Sequence, residues 1–257
     1  LCMAGGVALN CVSNSKILKK NIFENVWIQP ASGDAGGSLG AALAFWYHEL
    51  KNNRKVNQRS DDMKGSFLGP FFNNNEVEKS LISLGAQYEE VNEEEMINKV
   101  VHELKNQKII GWFQGKMEFG PRALGARSII ADPRSEKIQK ELNLKIKFRE
   151  SFRPFAPSIL REDLNEWFEL DQDSPYMLFV SNVKKNIQIP MKEQDKKLFG
   201  IDKLNIKRSS IPAVTHVDYS ARIQTVHQDT NQKYYKLIKK FKETSGCPII
   251  VNTSFNV

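Results

Sequence analysis

Apolar residues in this chain come in short blocks, and the spacing inside each block sets the element it predicts. Residues 1–3 read as a strand that enters a Gly5-Gly6 turn and then a helix through Leu18. Residues 26–30 (VWIQP) read as a buried strand. It feeds the turn ASGDAGG and a helix from Ser38 to Leu50, rich in Ala and Leu with its glycines at the start. Residues 51–65 are polar and charged and read as a linker. Beyond it, 75–84 and 93–106 show the spacing of amphipathic helices, and 108–114 (KIIGWFQ) that of a strand. Pro121 sits where a helix would start, and Ser135 is placed to cap a helix over 136–146. Residues 186–210 are lysine-rich with scattered apolar anchors, a long surface excursion suited to a lid. Residues 212–216 and 221–226 flank the turn DYS and predict a hairpin. A helix over 233–244, with Leu237, Ile238 and Phe241 on one face, and a strand over 248–252 close the pattern.

This organisation predicts an α/β (α+β) protein of two units, residues 1–65 and 66–257. The length of 257 residues suits one large or two modest domains. A hydrophobic share of 40% and a charged share of 26% are those of a soluble globular chain. The net charge of +7 is spread along the sequence, which suits an anionic substrate and does not call for nucleic acid. Cys2, Cys11 and Cys247 have no CxxC spacing, which argues against a disulfide framework and a structural zinc site, and for a cytoplasmic setting. No apolar run reaches the roughly 18 residues of a membrane span. Both ends fall within apparent structure, so a segment of a longer protein is expected.

The most informative stretch runs from Gly115 to Pro157. It sets Lys116, Arg122, Arg127, Lys147, Arg149 and Arg153 among Phe119, Phe148, Phe152 and Phe155. Burying an unpaired cation costs several kcal/mol, so an anionic ligand is expected, and a partly buried pocket for a phosphate-bearing molecule is the leading reading. Arg122 would lie in the first turn of a helix, near its positive end. Lys147 and Arg149 would share a face if that segment is extended. The competing reading is a set of structural ion pairs with Glu118, Glu150, Asp132 and Glu162. Four further motifs each admit two readings. GGVALN, with Gly5, Gly6 and Asn10, is a nucleotide-facing turn or a packing turn. In SGDAGG, Asp34 holds a metal or orients a nucleotide hydroxyl, with Gly36 and Gly37 letting a ligand approach, or Asp34 merely caps the following helix. In HVDYSAR, His216 is a proton shuttle or a core histidine. In NTSFN, Ser254 and Asn256 face a ligand or form an ordinary turn.

Together, GGVALN, QPASGDAGGSLGAAL, GWFQGKMEFGPRALGARSIIADPR, KFRESFRPFAPSIL, PAVTHVDYSARIQTV and PIIVNTSFN, in this order, resemble the O-carbamoyltransferases of the nodulation-protein and antibiotic-tailoring type. The likeness runs from end to end apart from the linker and the 186–210 excursion.

The resemblance implies the tail of an actin-like (ASKHA) ATP-binding domain followed by a YrdC-like domain. It implies an enzyme that makes carbamoyl-adenylate from carbamoyl phosphate and ATP and passes the carbamoyl group to a hydroxyl of a small-molecule acceptor. A synthase of the threonylcarbamoyl-adenylate type, acting in tRNA modification, is the alternative. Lys147-Phe148-Arg149 matches the family's KxR and Ser254-Phe255-Asn256 its SxN. By this likeness Arg122, Lys147, Arg149 and Arg153 are the catalytic cations. Arg122, Lys147, Arg153, Arg222, Ser254 and Asn256 hold substrate, Gly5, Gly6, Asn10 and Gly36 lie near the nucleotide, and Asp34 binds a divalent metal, expected to be iron. The other metal ligands, an HxxxH pair in the family, would lie outside this sequence, as would the rest of the actin-like domain. A homodimer is compatible, and neither membrane nor nucleic acid is an expected partner. The turn DYSAR departs from the family's Asp-Gly-Thr-Ala-Arg by placing Tyr219 where glycine is usual.

Overall fold

A computed structural model describes residues 1–55, 61–204 and 206–256. In chain order its elements are β1 (Cys2–Met3), α1 (Cys11–Lys19), β2 (Trp27–Ile28), α2 (Asp34–Ala44), α3 (Asn74–Ser83), α4 (Glu93–Lys105), β3 (Ile110–Phe113), β4 (Arg127–Ala131), α5 (Ile138–Glu141), β5 (Ala156–Leu160), α6 (Leu164–Trp167), β6 (Phe179–Asn182), α7 (Glu193–Lys196), α8 (Gly200–Leu204), β7 (Ser220–Val226), α9 (Gln232–Ser245) and β8 (Ile249–Ser254). The architecture is mixed α/β around a mixed sheet. Among the described residues, β1 and β2 form a short parallel pair, and six strands form a sheet in the order β3-β4-β8-β5-β7-β6. Only β5–β7 is parallel in that larger sheet. None of the described helices is long and apolar enough to cross a membrane.

Helices α4 and α9 supply the main core. Tyr234, Leu237, Ile238 and Phe241 recur at helical spacing and are fully buried, and Ile97, Val101 and Leu104 on α4 are buried against them. Asn231 caps α9 by accepting from the Tyr234 N–H, and Gly246, in the left-handed conformation, ends it. The middle strands β5 and β8 are buried nearly throughout, with no polar alternation, as expected of strands covered on both faces.

A second core cluster joins the N-terminal segment to the sheet edge. It brings Ala8 and Ile28 together with Leu124, Ala156, Met177 and Phe179. Buried polar contacts fasten the same seam. Asn14 Nδ2 donates to the carbonyls of Ala8 (2.8 Å) and Leu178 (3.1 Å), and the Val180 N–H donates to Ser15 Oγ (2.7 Å).

Several expectations are corrected. The second helix starts at Asp34, not Ser38, and runs on into a π-helical turn over Phe45–Glu49. The cap of α2 is Gly33, so Asp34 is the first helical residue. Pro121 opens no helix; residues 114–126 are a loop between β3 and β4. Ser135 caps nothing and donates instead to Gln107 Oε1 (3.0 Å), while α5 begins at Ile138 and ends in a π-helical turn over Leu142–Ile146. The first arm of the expected hairpin is a 3-10 turn, Pro212–Val214, because Pro212 lacks the N–H a ladder needs; β7 pairs with β6 and β5 instead. The expected linker falls partly on 56–60, outside the described residues.

Candidate functional site

The loop over 114–126 is built around one buried carboxylate. Glu118 Oε1 accepts the N–H groups of Leu124 (2.7 Å), Ala126 (2.8 Å) and Arg127 (3.3 Å). A carboxylate buried against three backbone donors is satisfied without a cationic partner. Gly125 lies at φ 101, and a Cβ there would meet the Tyr234 ring at 2.3 Å, so only glycine fits. A polar network then ties this loop to the strands. Gln224 Nε2 donates to the Leu124 carbonyl (2.8 Å), and Asn252 Nδ2 donates to the Ala123 carbonyl (3.0 Å) and to Gln224 Oε1 (2.9 Å). Arg122 is thereby presented by a loop pinned on both sides, with no helix dipole behind it.

Arg122 lines a cleft of about 460 Å³ at the seam between α1 and the sheet, and Arg149, Arg153 and Arg222 line the same cleft. Cys11, His216, Asn252 and Ser254 complete the polar wall, and among the described residues no carboxylate lines it. Arg122 Nη2 reaches the Leu9 carbonyl only at 3.5 Å, and its buried Nε has no hydrogen-bond partner. Arg222 pairs with Val180 through its backbone in the β6–β7 ladder, and its side chain makes neither a hydrogen bond nor an ion pair with any described residue. Burial, then the Arg122 charge, pushes its guanidinium down to about 10, and Arg149 adds to the shift while Cys11 opposes it. Burial lowers Arg122 as well, with Cys11 opposing. For Arg149 the causes are burial first and then Arg153, offset by Glu150. Cations that are desolvated and crowd one another form an anion-binding surface.

Arg149 is held by Asn143, whose Oδ1 accepts from Nε at 2.6 Å, and its guanidinium lies 4.9 Å from the centre of the Phe155 ring. Arg153 is exposed and reaches Glu150 at 3.9 Å. The segment over 147–149 is not extended: Phe148 sits at φ 47, so the sharing of a face by Lys147 and Arg149 expected from an extended chain does not hold. Lys147 instead turns onto the end of β8. Its Nζ donates to Ser254 Oγ (3.2 Å), the Asn256 carbonyl (2.6 Å) and Asn256 Oδ1 (2.7 Å), as well as to the Ser254 carbonyl. The KxR and SxN blocks therefore meet in space, and Lys147 fastens the cleft wall rather than lining the cleft.

Most of the competing ion pairs fall away. Glu118 holds backbone, Asp132 pairs with Arg134 (2.6 Å), and Glu162 accepts from the Tyr235 hydroxyl. Of these four carboxylates, only Glu150 forms an ion pair with a cation of the basic block among the described residues. Arg127 is structural: it donates to the Gln114 (2.9 Å) and Gly115 (3.1 Å) carbonyls and covers the Phe113 ring at 3.6 Å. Lys116 is exposed and does not line this cleft.

Asn10 caps α1, accepting from the Ser13 N–H at 3.1 Å. Gly5 and Gly6 border open space. A Cβ on Gly36 would lie 2.0 Å from the Ala31 carbonyl oxygen, so chain packing requires glycine there. Asp34 is exposed in the first turn of α2, and among the described residues no group of three or more His, Cys, Asp or Glu is placed to hold a metal. Asp34 alone supplies one of the several ligands a divalent ion needs, as expected where the HxxxH pair lies outside this sequence.

Sequence reasoning did not place Cys11 in the site; nothing around it signals that role. His216 was legible only as an ambiguous histidine. Tyr219 occupies the left-handed region (φ 65), the conformation that favours the glycine usual at that point.

Comparison with known proteins adds an independent line. The profile described as "Carbamoyltransferase C-terminus" matches residues 101–257, and that described as "Carbamoyltransferase N-terminus" matches residues 1–43. An uncharacterised protein of Synechocystis is 55% identical over 100% of this chain and 42% of its own length. The nodulation protein NolNO of Sinorhizobium fredii is 41% identical over 100% of the chain and 35% of its own length. The nodulation protein NolO of Bradyrhizobium diazoefficiens is 39% identical over 100% of the chain and 43% of its own length. The chain thus spans about two fifths of the length of these relatives.

Proposed function

Since the chain belongs to the carbamoyltransferase family, we propose that it is the part of an O-carbamoyltransferase that binds carbamoyl phosphate and, with ATP, forms carbamoyl-adenylate. The carbamoyl group then goes to a hydroxyl of a small-molecule acceptor held with the remainder of an actin-like domain. On this reading residues 1–65 end that domain and 66–257 are YrdC-like. The observation that carries the proposal is the convergence of Arg122, Arg149, Arg153 and Arg222 on one cleft lined by no described carboxylate, with Arg122 Nε buried and without a partner among the described residues.

Carbamoyl phosphate and ATP are both anions, and bringing them together costs repulsion. Fixed guanidinium groups in a partly desolvated cleft offset it, because their dipoles and charges need not reorganise as the reaction proceeds. Arginine also grips phosphate oxygens two at a time, which orients the carbamoyl group. Ser254 and Asn256 act through Lys147, which fixes the end of β8 at the cleft wall. Of the ligands expected for the metal, only Asp34 lies in these residues, and the metal would supply its chemistry at the transfer step, outside the arginine cleft.

Pyrophosphate release by the full-length protein tests the proposal. Release that depends on carbamoyl phosphate, ATP and a hydroxylated acceptor supports it. Release that follows threonine and bicarbonate instead contradicts it and favours the tRNA-modification reading.

A further inference from the structure

One ionisable group in the cleft has no part in gripping a phosphate. His216 lines the same wall as Arg122 and Arg222, and the short turn before β7 fixes which of its nitrogens carries the proton. Asp218 Oδ1 accepts the Ser220 N–H (3.0 Å) and lies 2.7 Å from Ser220 Oγ. Ser220 Oγ lies 3.0 Å from His216 Nδ1. A serine has one hydroxyl proton. If it went to Nδ1, two oxygen lone pairs would face each other across the Ser220–Asp218 contact. The proton therefore goes to the carboxylate, and Ser220 Oγ accepts from Nδ1–H. That leaves Nε2 as the unprotonated nitrogen, and it has no partner among the described residues.

The charges facing the ring keep it in that form. Burial lowers its proton affinity, Asp218 opposes this, and Arg222 adds to it. Arg122 on the loop, Arg149 and Arg153 on the approach to β5, and Cys11 on α1 complete the surroundings of the cleft. Asp218 stays ionised: desolvation raises it, but the hydrogen bonds from Ser220 and the nearby His216 outweigh that. A neutral imidazole with its lone pair on Nε2, beside four guanidinium groups, is arranged to take a proton from something bound next to a phosphate.

We propose that His216, through Nε2, is the proton acceptor of the arginine cleft, activating the water that splits carbamoyl phosphate; this rests on the carbamoyl-phosphate reading above. In the step, the water oxygen bonds to the carbonyl carbon as one of its protons passes to Nε2. The tetrahedral adduct collapses, the bond from carbon to the bridging oxygen breaks, and phosphate leaves with that electron pair. The imidazolium returns its proton to the departing phosphate. One water is consumed, carbamic acid and phosphate are formed, and the acid loses its remaining carboxyl proton to solvent, which leaves carbamate free to attack the α-phosphorus of ATP. Asp218 and Ser220 are positioning residues, acting only through the tautomer.

The test uses the full-length protein, with inorganic phosphate as the binding probe and phosphate release from carbamoyl phosphate as the rate. His216→Gln is expected to lower kcat at least 100-fold, within the range of general-base contributions, with phosphate affinity within threefold of wild type. Asp218→Asn is expected to lower kcat about tenfold and to displace the acidic limb of the pH–rate profile. Imidazole in solution is expected to restore part of the rate to His216→Ala. Nitrogen NMR of the wild type should report the Nδ1–H tautomer. A His216→Gln enzyme within threefold of wild type across the profile overturns the assignment, as does an Nε2–H tautomer. Loss of phosphate affinity in parallel with rate also overturns it, since that would make His216 a structural support. Wild-type protein that releases no phosphate from carbamoyl phosphate overturns the underlying reading itself, an outcome distinct from an active wild type matched by an active variant.

Discussion

Lys147 Nζ donates to Asn256 Oδ1 at 2.7 Å, joining two motifs separated by 109 residues in sequence. Ser254 Oγ donates to the same Oδ1, so the ammonium, hydroxyl and amide form one closed cluster at the end of β8. Burial, with the neighbouring Arg149, lowers the ammonium's proton affinity, and the carbonyl and side-chain oxygens around it satisfy its donors.

Lys147→Met removes these bonds and leaves their acceptors near the surface. The expected cost is about 1 kcal/mol, the low end for charge-assisted bonds because the group is partly solvated. Hydrogen exchange at Phe255 and Asn256 should accelerate while α9 amides are unchanged. Equal protection in both proteins would contradict the fastening role.

Gly125→Ala places a methyl 2.3 Å from a ring carbon of Tyr234, which is fully buried and has no room to yield. The positive φ adds strain. Chemical denaturation should show a loss of more than about 2 kcal/mol, and phosphate binding should weaken because the same loop presents Arg122.

Glu118→Gln keeps the shape of the loop's anchor and removes its charge. Hydrogen bonds to an ionised acceptor are about twice as strong as neutral ones, so a loss of about 1–2 kcal/mol is expected. Phosphate affinity should fall although Glu118 does not line the cleft. Unaltered affinity together with unaltered stability would show that the carboxylate does not organise the loop.

Arg222→Met tests the cost of assembling the site. The guanidinium's pKa is depressed to about 10 in the fold. Its charged form is therefore disfavoured relative to the unfolded chain at every pH below that value, and the penalty is relieved as pH rises from about 10 toward the unfolded value. Without ligand, the variant should melt at a higher temperature than wild type at pH 7, as happens when an uncompensated buried charge is replaced by an apolar group. Phosphate should raise the melting temperature of the wild type and leave the variant almost unmoved. A variant less stable than wild type without phosphate would refute the account.

The parts of this fold governed by local periodicity were legible. Helices α4 and α9 carry their core positions at helical spacing, and Ile97, Val101 and Leu104 meet the sheet as that spacing requires. Strands β4 and β5 were not read from the sequence as elements, because strands buried on both faces lack alternation and look like any apolar run. In the site, the basic block announced an anion, but its geometry depended on contacts no local pattern records. Glu118 folds back onto Leu124 and Ala126, and that long reach replaces the helix expected after Pro121. Phe148 at positive φ turns Lys147 toward Asn256. Cys11 and Arg222 arrive from opposite ends of the chain, brought together by the packing of α1 against β6.

Titration calorimetry of carbamoyl phosphate into the wild-type protein and into Arg122→Ala tests the central claim most directly. The account predicts clear binding by the wild type and at least a tenfold loss in the variant, the effect of removing about 1.4 kcal/mol or more of phosphate contact. Equal affinity in the two proteins, or no binding by either, would contradict it.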